Sequence, residues 1–363
     1  MSRKGKILAG LLLYPMSLLY GAVVYMRNKF FDWGVLSQCA FDVPVIVVGN
    51  ISVGGTGKTP HVEYIVDILR HKYNIGVVSR GYKRHTKGFV MATPSSTPSD
   101  IGDEPYQIYK KFGKEVAVAV CENRVDGINE LLNINPDINL IVLDDAFQHR
   151  YVKPKVAVVV TEFNRPVFSD HLLPYGRLRE SKASLSRADI VVVSKCPDTP
   201  KGVDLMLYDR NLDLFPYQKV FFSKFEYGSL VPVFPSEAPS MPPSLDFLTD
   251  RDMVLAVAGI GNPKPFVKYI RRYKARVWVN IFPDHHNFNS KDFTLIADRF
   301  LAMRGNSKII ITTEKDAVRI ASNPEFPADL RPYIYYLPIK VGILKGETEV
   351  FAEFLEKKIN GQS

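Results

Sequence analysis

One glycine-rich turn, together with the segments on either side of it, constrains the fold of this chain more than any other feature. Residues 45–48 form a short, β-branched apolar run that is typical of a buried strand. The turn follows at residues 52–59, SVGGTGKT, and its glycines allow successive backbone N–H groups to point toward one anion. Residues 59–70 then repeat apolar side chains at helical spacing. A strand, a Gly-Lys-Thr turn and a helix in this order indicate a P-loop, which binds nucleotide phosphates.

The predicted phosphate contacts lie along the whole turn. We expect Lys58 to reach the β- and γ-phosphates and the Thr59 hydroxyl to bind Mg²⁺. Ser52 departs from the general pattern, which has glycine at this place. The alternative interpretation is a glycine-rich turn that binds no ligand. The predicted cofactor-binding residues are Ser52, Val53, Gly54, Gly55, Thr56, Gly57, Lys58 and Thr59.

A second motif supports a nucleotide site. Residues 140–143 are apolar and end in Asp144 and Asp145. In P-loop proteins a carboxylate at the end of such a strand lies beside the P-loop and holds Mg²⁺ directly or through water. A pair of aspartates is also common in turns, so the prediction depends on the P-loop upstream. We predict that Asp144 and Asp145 are metal ligands together with Thr59.

The rest of the chain alternates apolar runs with helical patterns, which predicts an α/β protein. Such alternation favours a parallel sheet covered on both faces, with ligands at the carboxyl ends of its strands. A proline-rich stretch separates two sets of strand patterns, so the second set indicates a second, smaller α/β domain. The predicted parts are an N-terminal membrane-associated helix (1–30), a P-loop domain (31–226), a Pro-rich linker (227–250) and a C-terminal domain with a tail helix (251–363).

The amino-terminal segment predicts a membrane contact. Residues 7–26 contain no charged side chain, and basic residues lie on both sides of them. The length is just enough to span a bilayer, although Pro15 and three tyrosines disfavour a full span. An interfacial helix with basic ends on anionic headgroups fits as well, and a helix packed in a soluble core is the third alternative. A cleaved signal peptide is disfavoured, because no clear small-residue cleavage site follows.

The net charge of +9 suits an anionic partner, such as a membrane surface, a nucleic acid or a phosphorylated substrate. No nucleic-acid-binding motif is recognisable, so we predict no nucleic-acid partner. The three cysteines lie far apart without metal-ligand spacing, and they predict reduced thiols rather than a zinc site.

Seven short motifs follow one another along the chain: SVGGTGKTP, SRGY, GDEP, DDAFQHR, LPYGRLRE, DHHNF and TEKD. This ordered set resembles the tetraacyldisaccharide 4′-kinase (lipid A 4′-kinase) family, from the first helix to about residue 320. The resemblance implies that ATP phosphorylates the 4′-hydroxyl of a lipid A disaccharide precursor, a tetraacyldisaccharide 1-phosphate. It also implies a place on the cytoplasmic leaflet of a Gram-negative inner membrane, and no obligate protein partner is evident. Lys83 and Ala146 depart from the family's common pattern at backbone or small-residue positions.

The resemblance further implies a catalytic pair. The family pairs the aspartate of the GDEP motif with the first histidine of DHH, which are Asp103 and His285 here. An imidazole titrates near pH ~6.5, so His285 is suited to take the proton of a sugar hydroxyl, while Lys58 neutralises phosphate charge. The alternatives are a helix N-cap for Asp103, and a strand-end turn or a metal site for His285 and His286.

The other motifs supply further candidates. Glu180 is a predicted Mg²⁺ ligand, and arginines suit the 1-phosphate of the substrate because they bind phosphate through paired hydrogen bonds. The predicted substrate-site residues are Arg80, Glu122, Arg124, Gln148, His149, Arg177 and Arg179.

Two other classes of function compete with a lipid kinase. A P-loop GTPase or ATPase switch of the metallochaperone type has a similar turn, but Val53 stands where those proteins place a lysine. Residues 194–198, SKCPD, resemble the guanine-binding N-K-x-D motif only loosely. The other class is a membrane-tethered binding protein without enzymatic activity. Nucleotide preference, ATP against GTP, discriminates the lipid kinase from the first class, and lipid-dependent ATP turnover excludes the second.

Overall fold

The computed structural model describes the backbone of residues 3–284 and 286–362, with side chains from residue 12 onward. The helices of this part of the chain are α1 (Arg3–Asp32), α2 (Lys58–Leu69), α3 (Pro98–Ile101), α4 (Asp103–Phe112), α5 (Arg124–Ile134), α6 (Gly202–Leu212), α7 (Lys264–Ile270), α8 (Ser290–Ala302), α9 (Glu314–Ala321) and α10 (Thr348–Ile359). The strands are β1 (Val45–Gly49), β2 (Ile75–Ser79), β3 (Val90–Met91), β4 (Val116–Val120), β5 (Leu140–Asp144), β6 (Val156–Glu162), β7 (Ile190–Ser194), β8 (Lys219–Tyr227), β9 (Val231–Pro232), β10 (Met253–Ala258), β11 (Arg276–Ile281), β12 (Lys308–Thr313), β13 (Ile334–Leu337) and β14 (Ile339–Ile343).

The first sheet has the strand order β14-β8-β7-β6-β1-β5-β2-β4-β3. Neighbouring strands from β8 to β4 are parallel, and the edge strands β14 and β3 pair antiparallel. The inner strands are nearly continuous Val/Ile runs because helices bury them on both faces. Helices α2, α4 and α10 pack on one face and α5 and α6 on the other. This arrangement confirms the predicted P-loop-type parallel sheet and places β1, with the turn that follows it, at the centre.

The second sheet is smaller, with the order β11-β10-β12-β13-β9. Its strands are parallel except for β9, which pairs antiparallel with β13. Apolar side chains of α8 and α9 pack on one face and those of α7 on the other. The second, smaller α/β unit that the sequence predicts is therefore present.

The end of the chain differs from the predicted division into domains. Strand β14 pairs with β8 of the first sheet, and Phe351, Leu355 and Ile359 of α10 bury in the core of that sheet. The segment predicted as a linker contributes β9 to the second sheet, and β8, which sequence reasoning did not assign, ends just inside it. Residues 251–363 are therefore not one structural unit. Strand pairing over long sequence separations decides this, and local patterns do not encode it.

Helix α1 lies on the first domain through polar contacts. The Ser17 Oγ donates to the Leu172 carbonyl (3.0 Å), the Tyr20 hydroxyl donates to the Arg179 carbonyl (2.9 Å), and Asn28 donates to the Glu180 carboxylate (2.8 Å). The other face of α1 exposes large apolar side chains to solvent, namely Leu12, Met16, Leu19, Val23, Met26 and Phe30. Within residues 3–284 and 286–362 we find no helix whose length and apolar character suffice to cross a membrane.

Helices α4 and α9 join the two domains through ion pairs. Glu104 and Asp103, at the start of α4, bind Lys315 (2.7 Å) and Arg319 of α9. Nearby, the buried Glu63 of α2 pairs with Lys111 of α4, and Glu314 of α9 accepts the Ile339 N–H (3.2 Å). Burial, followed by the neighbouring Glu63 carboxylate, raises the pKa of Glu314 to about 7.

The elevated pKa of Glu314 predicts a pH-dependent stability. The folded chain holds an extra proton between the unfolded value of 4.5 and about 7, so the unfolding free energy falls as pH rises through this window. We expect Glu314→Gln, which mimics the protonated form, to flatten this dependence and to add about 1–2 kcal/mol at about pH 8. Thermal midpoints measured from about pH 5 to about pH 8 test this. Glu356→Gln, at a surface carboxylate paired with Lys72, is the matched control, and an unchanged slope in Glu314→Gln would contradict the assignment.

Candidate active site

The P-loop joins the carboxyl end of β1 to the first turn of α2, at the centre of the first sheet. Gly57 precedes the helix in a left-handed conformation (φ 93°), and a Cβ there would lie 2.5 Å from the Phe225 ring. Only glycine meets both conditions without strain. Helix α2 begins at Lys58, so its first N–H groups, which have no partners inside the helix, face the loop. Pro60 fits in the first turn because no helical N–H is needed there.

The segment that carries the LPYGRLRE motif pairs with the start of the P-loop. The Val53 N–H donates to the Arg177 carbonyl (2.8 Å) and the Arg179 N–H donates to the Ile51 carbonyl (2.7 Å). This pairing brings two predicted substrate-site arginines to the phosphate loop. The Arg177 guanidinium lies beside Gly54, and the Arg179 guanidinium binds Asn50 and Asp145 (3.0 Å to Asp145).

Asp144 and Asp145 lie next to the P-loop, as predicted, because Asp144 pairs in register with Val48 of β1. The Asp145 carboxylate lies 3.6 Å from the Lys58 ammonium. Burial alone would raise the pKa of Asp145, but Lys58 and Arg179 outweigh it and lower that pKa. Burial and the Asp145 charge raise the pKa of Asp144 to about 7. The two carboxylates therefore differ in their environments: one is paired with cations, and the other is buried beside a like charge.

The surroundings of Asp144 fit a divalent cation. Its Oδ1 is buried and has no hydrogen-bond partner among the described residues, so a cation would satisfy an oxygen that otherwise costs free energy. Thr59, in the first turn of α2, supplies a hydroxyl at the same end of the sheet. The part of the chain that the structure describes contains no cluster of three His, Cys, Asp or Glu side chains able to hold a metal by itself. Mg²⁺ commonly takes few protein ligands and completes its shell with phosphate oxygens and water.

Arg124, His149 and Arg80 form a basic group beside the aspartates. The Arg124 N–H, at the start of α5, donates to His149 Nε2 (3.4 Å), and its guanidinium interacts electrostatically with Arg80, Asp144 and Asp145. Burial and the Arg124 charge lower the pKa of His149 to about 4. His149 is therefore neutral at pH 7 and serves as a hydrogen-bonding group rather than a charge.

Three predicted site residues bind other protein groups around the site. The Glu122 carboxylate binds Arg84 (2.7 Å) and the Gly88 N–H (3.1 Å). Gln148 donates to the Asn50 carbonyl (2.8 Å) at the start of the P-loop. Glu180 binds Arg187 and also Asn28, which belongs to α1. Burial alone would raise the pKa of Glu180, but the Arg187 charge and the Asn28 hydrogen bond outweigh burial and lower it. These bonds are structural, and direct roles for Glu122 in substrate binding and for Glu180 in metal binding remain predictions.

Asp103 lies at the interface of the two domains. It is the first residue of α4 rather than its N-cap, which is Gly102, and its carboxylate accepts from Arg319 (Nε at 3.0 Å). Arg319 also binds Asp316 (3.2 Å), which in turn accepts the Gly259 N–H (2.8 Å).

His285, the predicted partner of Asp103, lies outside the described residues. His286, the next residue, lies beside Gly259, and its Nε2–H donates to the Asp292 carboxylate (2.8 Å). A continuous series of contacts thus leads from Asp103 through Arg319 and Asp316 to Gly259, which lies beside His286.

Sequence patterns did not predict the residues that bind the carbonyl groups of the P-loop, or that support such a residue. They are Ser194 and Lys195 at the end of β7, together with His61 and Ser223. Two signals were available. Ser194 ends a predicted parallel strand, and such ends gather around the ligand, while Ser194 and Lys195 begin the SKCPD segment that loosely resembles N-K-x-D.

Comparison with known proteins identifies the family of this chain. Residues 9–360 match the family model "Tetraacyldisaccharide-1-P 4′-kinase". Proteins named tetraacyldisaccharide 4′-kinase from Bacteroides thetaiotaomicron and Bacteroides fragilis are 48% and 46% identical over 349 and 344 residues, and each alignment covers 94% of this chain and 91% of the relative. The crystal structure of LpxK from Aquifex aeolicus in complex with ATP is 26% identical, with a TM-score of 0.72, and covers 95% of this chain and 98% of that one. The chain belongs to the tetraacyldisaccharide-1-P 4′-kinase family.

Proposed function

We propose that this protein is a lipid kinase that transfers the γ-phosphoryl group of ATP to the 4′-hydroxyl of a tetraacyldisaccharide 1-phosphate, a lipid A precursor. One observation carries the proposal: a glycine-rich phosphate loop, two aspartates and a group of arginines converge beside the interface of two α/β domains. Phosphoryl transfer needs positioning and charge neutralisation more than covalent chemistry, and this constellation supplies both. Family membership supports the same activity, and it does not favour a metallochaperone-type switch.

The P-loop and its neighbours would bind the nucleotide. Backbone N–H groups of the loop, among them those of Gly57 and Lys58, would surround the phosphates, and Lys58 would neutralise charge on the β- and γ-phosphates. Asp144 and Thr59 would hold Mg²⁺, with Asp145 nearby and paired to Lys58. When bound, the cation neutralises charge on the phosphate oxygens during transfer.

The arginines would bind the anionic substrate. Arg80 and Arg177 are exposed, and Arg124 lies beside the aspartates. We assign these three, with Arg179, to phosphate groups of the substrates, because guanidinium binds phosphate through two parallel hydrogen bonds. His149, neutral at pH 7, and Gln148 would complete the polar lining.

Proton removal from the 4′-hydroxyl is assigned to Asp103 and His285. His285 would take the proton, and Asp103 would orient the imidazole and stabilise its charged form. Asp103 belongs to the first domain and His285 to the second, so the pair would form at the domain interface. Closure of that interface around substrate would exclude water and limit hydrolysis of ATP.

We also propose that α1 attaches the enzyme to the cytoplasmic leaflet of the inner membrane as an interfacial helix. One face of α1 is bonded to the first domain while the other exposes a stripe of apolar side chains. An interfacial helix buries such a stripe in the headgroup region. This leaves its polar face on the protein, close to the P-loop, and would bring the active site to the membrane surface.

Charges placed on the exposed stripe of α1 test this attachment. We expect Leu19→Glu/Val23→Glu to lower binding to anionic phospholipid vesicles about tenfold or more, because each charge would have to enter the interface. Vesicle sedimentation measures the bound fraction. Val203→Glu/Met206→Glu, at exposed apolar positions of α6, is the matched control and should leave binding unchanged. Equal binding by the α1 double variant and the wild type would exclude this face of α1 as the anchor.

The function itself is tested by incubating the protein with ATP, Mg²⁺ and a detergent-dispersed tetraacyldisaccharide 1-phosphate. We expect mass analysis to show one added phosphoryl group at the 4′-hydroxyl, with ATP preferred over GTP. ATP turnover independent of lipid, or a preference for GTP, would favour a nucleotide switch and would contradict the proposal.

A further inference from the structure

We propose that Ser194 and Lys195, at the carboxyl end of β7, are positioning residues that orient the P-loop backbone for ATP. Neither belongs to the P-loop motif, and neither is among the nucleotide-, metal- or substrate-binding residues assigned above. The inference rests on the proposed function, because it concerns the nucleotide site of the same kinase.

Ser194 binds the P-loop from inside the protein. Its side chain is fully buried, and the Oγ lies 2.7 Å from the Thr56 carbonyl and 2.9 Å from the Thr161 carbonyl of β6. A hydroxyl has one proton, so it shares this proton between the two carbonyls. The bond joins the tip of the P-loop to the interior of the sheet, because β7 and β1 both flank β6.

Lys195 binds the adjacent peptide of the loop. Its backbone is left-handed (φ 57°), which residues with a side chain rarely adopt. The ammonium donates to the Gly55 carbonyl and lies 3.4 Å from the Glu162 carboxylate. The ammonium therefore lies between the Glu162 carboxylate at the end of β6 and the Gly55 carbonyl, where it limits rotation of the peptide between Gly55 and Thr56.

His61 makes the third side-chain bond to a P-loop carbonyl. His61 Nδ1 lies 2.7 Å from the Gly57 carbonyl, and its Nε2 lies 2.9 Å from the Ser223 hydroxyl. Burial lowers the pKa of His61 to about 4, so the ring is neutral and carries one proton. A neutral ring that donates from Nδ1 to the carbonyl accepts the Ser223 hydroxyl at Nε2. Three successive carbonyls, those of Gly55, Thr56 and Gly57, are thus bonded on the side of the loop away from the phosphate position.

The direction of these carbonyls determines the direction of the next N–H groups. In a trans peptide the C=O and N–H bonds point in opposite directions, and the only cis bond among the described residues is Leu173–Pro174. Because the Thr56 and Gly57 carbonyls point away from the phosphate position, the N–H groups of Gly57 and Lys58 point toward it. Phosphate binding requires this inward direction. A loop already held in it loses less conformational freedom when ATP binds.

Two substitutions test the inference. We expect Ser194→Ala and Lys195→Met each to raise the Kd and KM for ATP about 5- to 50-fold, the range for losing one neutral or charge-assisted hydrogen bond. The KM for the lipid should change less than about twofold, because these bonds touch only the nucleotide loop. Lys195→Arg should recover most of the ATP affinity, since it keeps a donor of the same charge. Calorimetry with ATP, lipid-kinase assays and thermal midpoints are measured on the same full-length proteins.

Two control variants separate positioning from general loosening of the core. Thr161→Val removes a buried hydroxyl of β6 that has no hydrogen-bond partner among the described residues, and Glu162→Gln removes the ion pair of Lys195 but leaves its bond to Gly55. Both should keep the ATP affinity within about threefold. If Thr161→Val weakens ATP binding as much as Ser194→Ala, or if Lys195→Met leaves it unchanged, the inference is overturned. Because calorimetry reports ATP binding directly, a wild type that binds ATP but does not phosphorylate the lipid would reject the proposed function and not this inference. Should Ser194→Ala fail to fold, the partly exposed Lys195 still decides the question.

Discussion

Lys58→Ala is expected to lower lipid phosphorylation about 10²–10³-fold, the usual range for removing one group that stabilises charge in the transition state. Lys58 is the first residue of α2, and its ammonium lies 3.6 Å from the Asp145 carboxylate at the carboxyl end of the sheet. From this place it can reach the β- and γ-phosphates of a nucleotide in the P-loop. Steady-state rates with saturating lipid and varied ATP give the loss in kcat and in kcat/KM separately.

The fold should tolerate this change. Asp145 keeps its ion pair with Arg179 (3.0 Å), and a partly exposed ion pair contributes about 0–1 kcal/mol. We therefore expect a thermal midpoint close to that of the wild type. Lys72→Ala, at an exposed lysine that follows the same helix and pairs with Glu356, should leave the rate unchanged. Near-normal turnover by a folded Lys58→Ala variant would exclude a phosphate-binding role for Lys58.

Asp103 and His285 should act as a unit in catalysis. Each single alanine variant is expected to lose about 10²–10⁴ in turnover, the range for positioned acid–base catalysis. The Asp103→Ala/His285→Ala double variant should be little worse than the poorer single variant, because removing either member abolishes the same proton transfer. ATP and lipid binding should suffer much less. A double-mutant cycle on turnover, with ATP affinity measured alongside, tests the pair, and fully additive losses would reject it.

The ion pair between Asp103 and Arg319 requires its own control. Because this pair joins α4 to α9, loss of Asp103 could act on the domain contact instead of on proton transfer. Arg319→Met breaks the same contact and should lower the thermal midpoint while costing less than about tenfold in turnover. His286→Gln, which replaces the adjacent imidazole bound to Asp292, should likewise keep most of the turnover. If Arg319→Met matches the loss of Asp103→Ala, the domain contact and not the acid–base pair accounts for the effect.

Local sequence patterns determined the central elements of this protein. The β-branched run of β1, the glycines of the P-loop and the helical spacing of α2 act within a few residues of one another, so their structure follows from steric and hydrogen-bonding rules alone. The apolar run that ends in Asp144 is likewise determined by its local sequence pattern. Once both strands are parallel neighbours, their carboxyl ends meet, and the contact between Asp145 and Lys58 follows. The ordered motifs also predicted the family, because their order along the chain is specific. Three of them, SRGY, DDAFQHR and TEKD, begin at the last residue of β2, β5 and β12.

Only the tertiary structure decided which distant residues support that site. Strand β14 and helix α10 return to the first sheet, and the Glu180 carboxylate binds Asn28 of α1 and Arg187. Ser194 and Lys195 bind P-loop carbonyls that lie more than a hundred residues away in sequence. Such partners satisfy buried polar groups that any nearby donor could satisfy equally well. The sequence marks the groups that need a partner, and the packing of the sheets selects which partner comes within hydrogen-bonding distance.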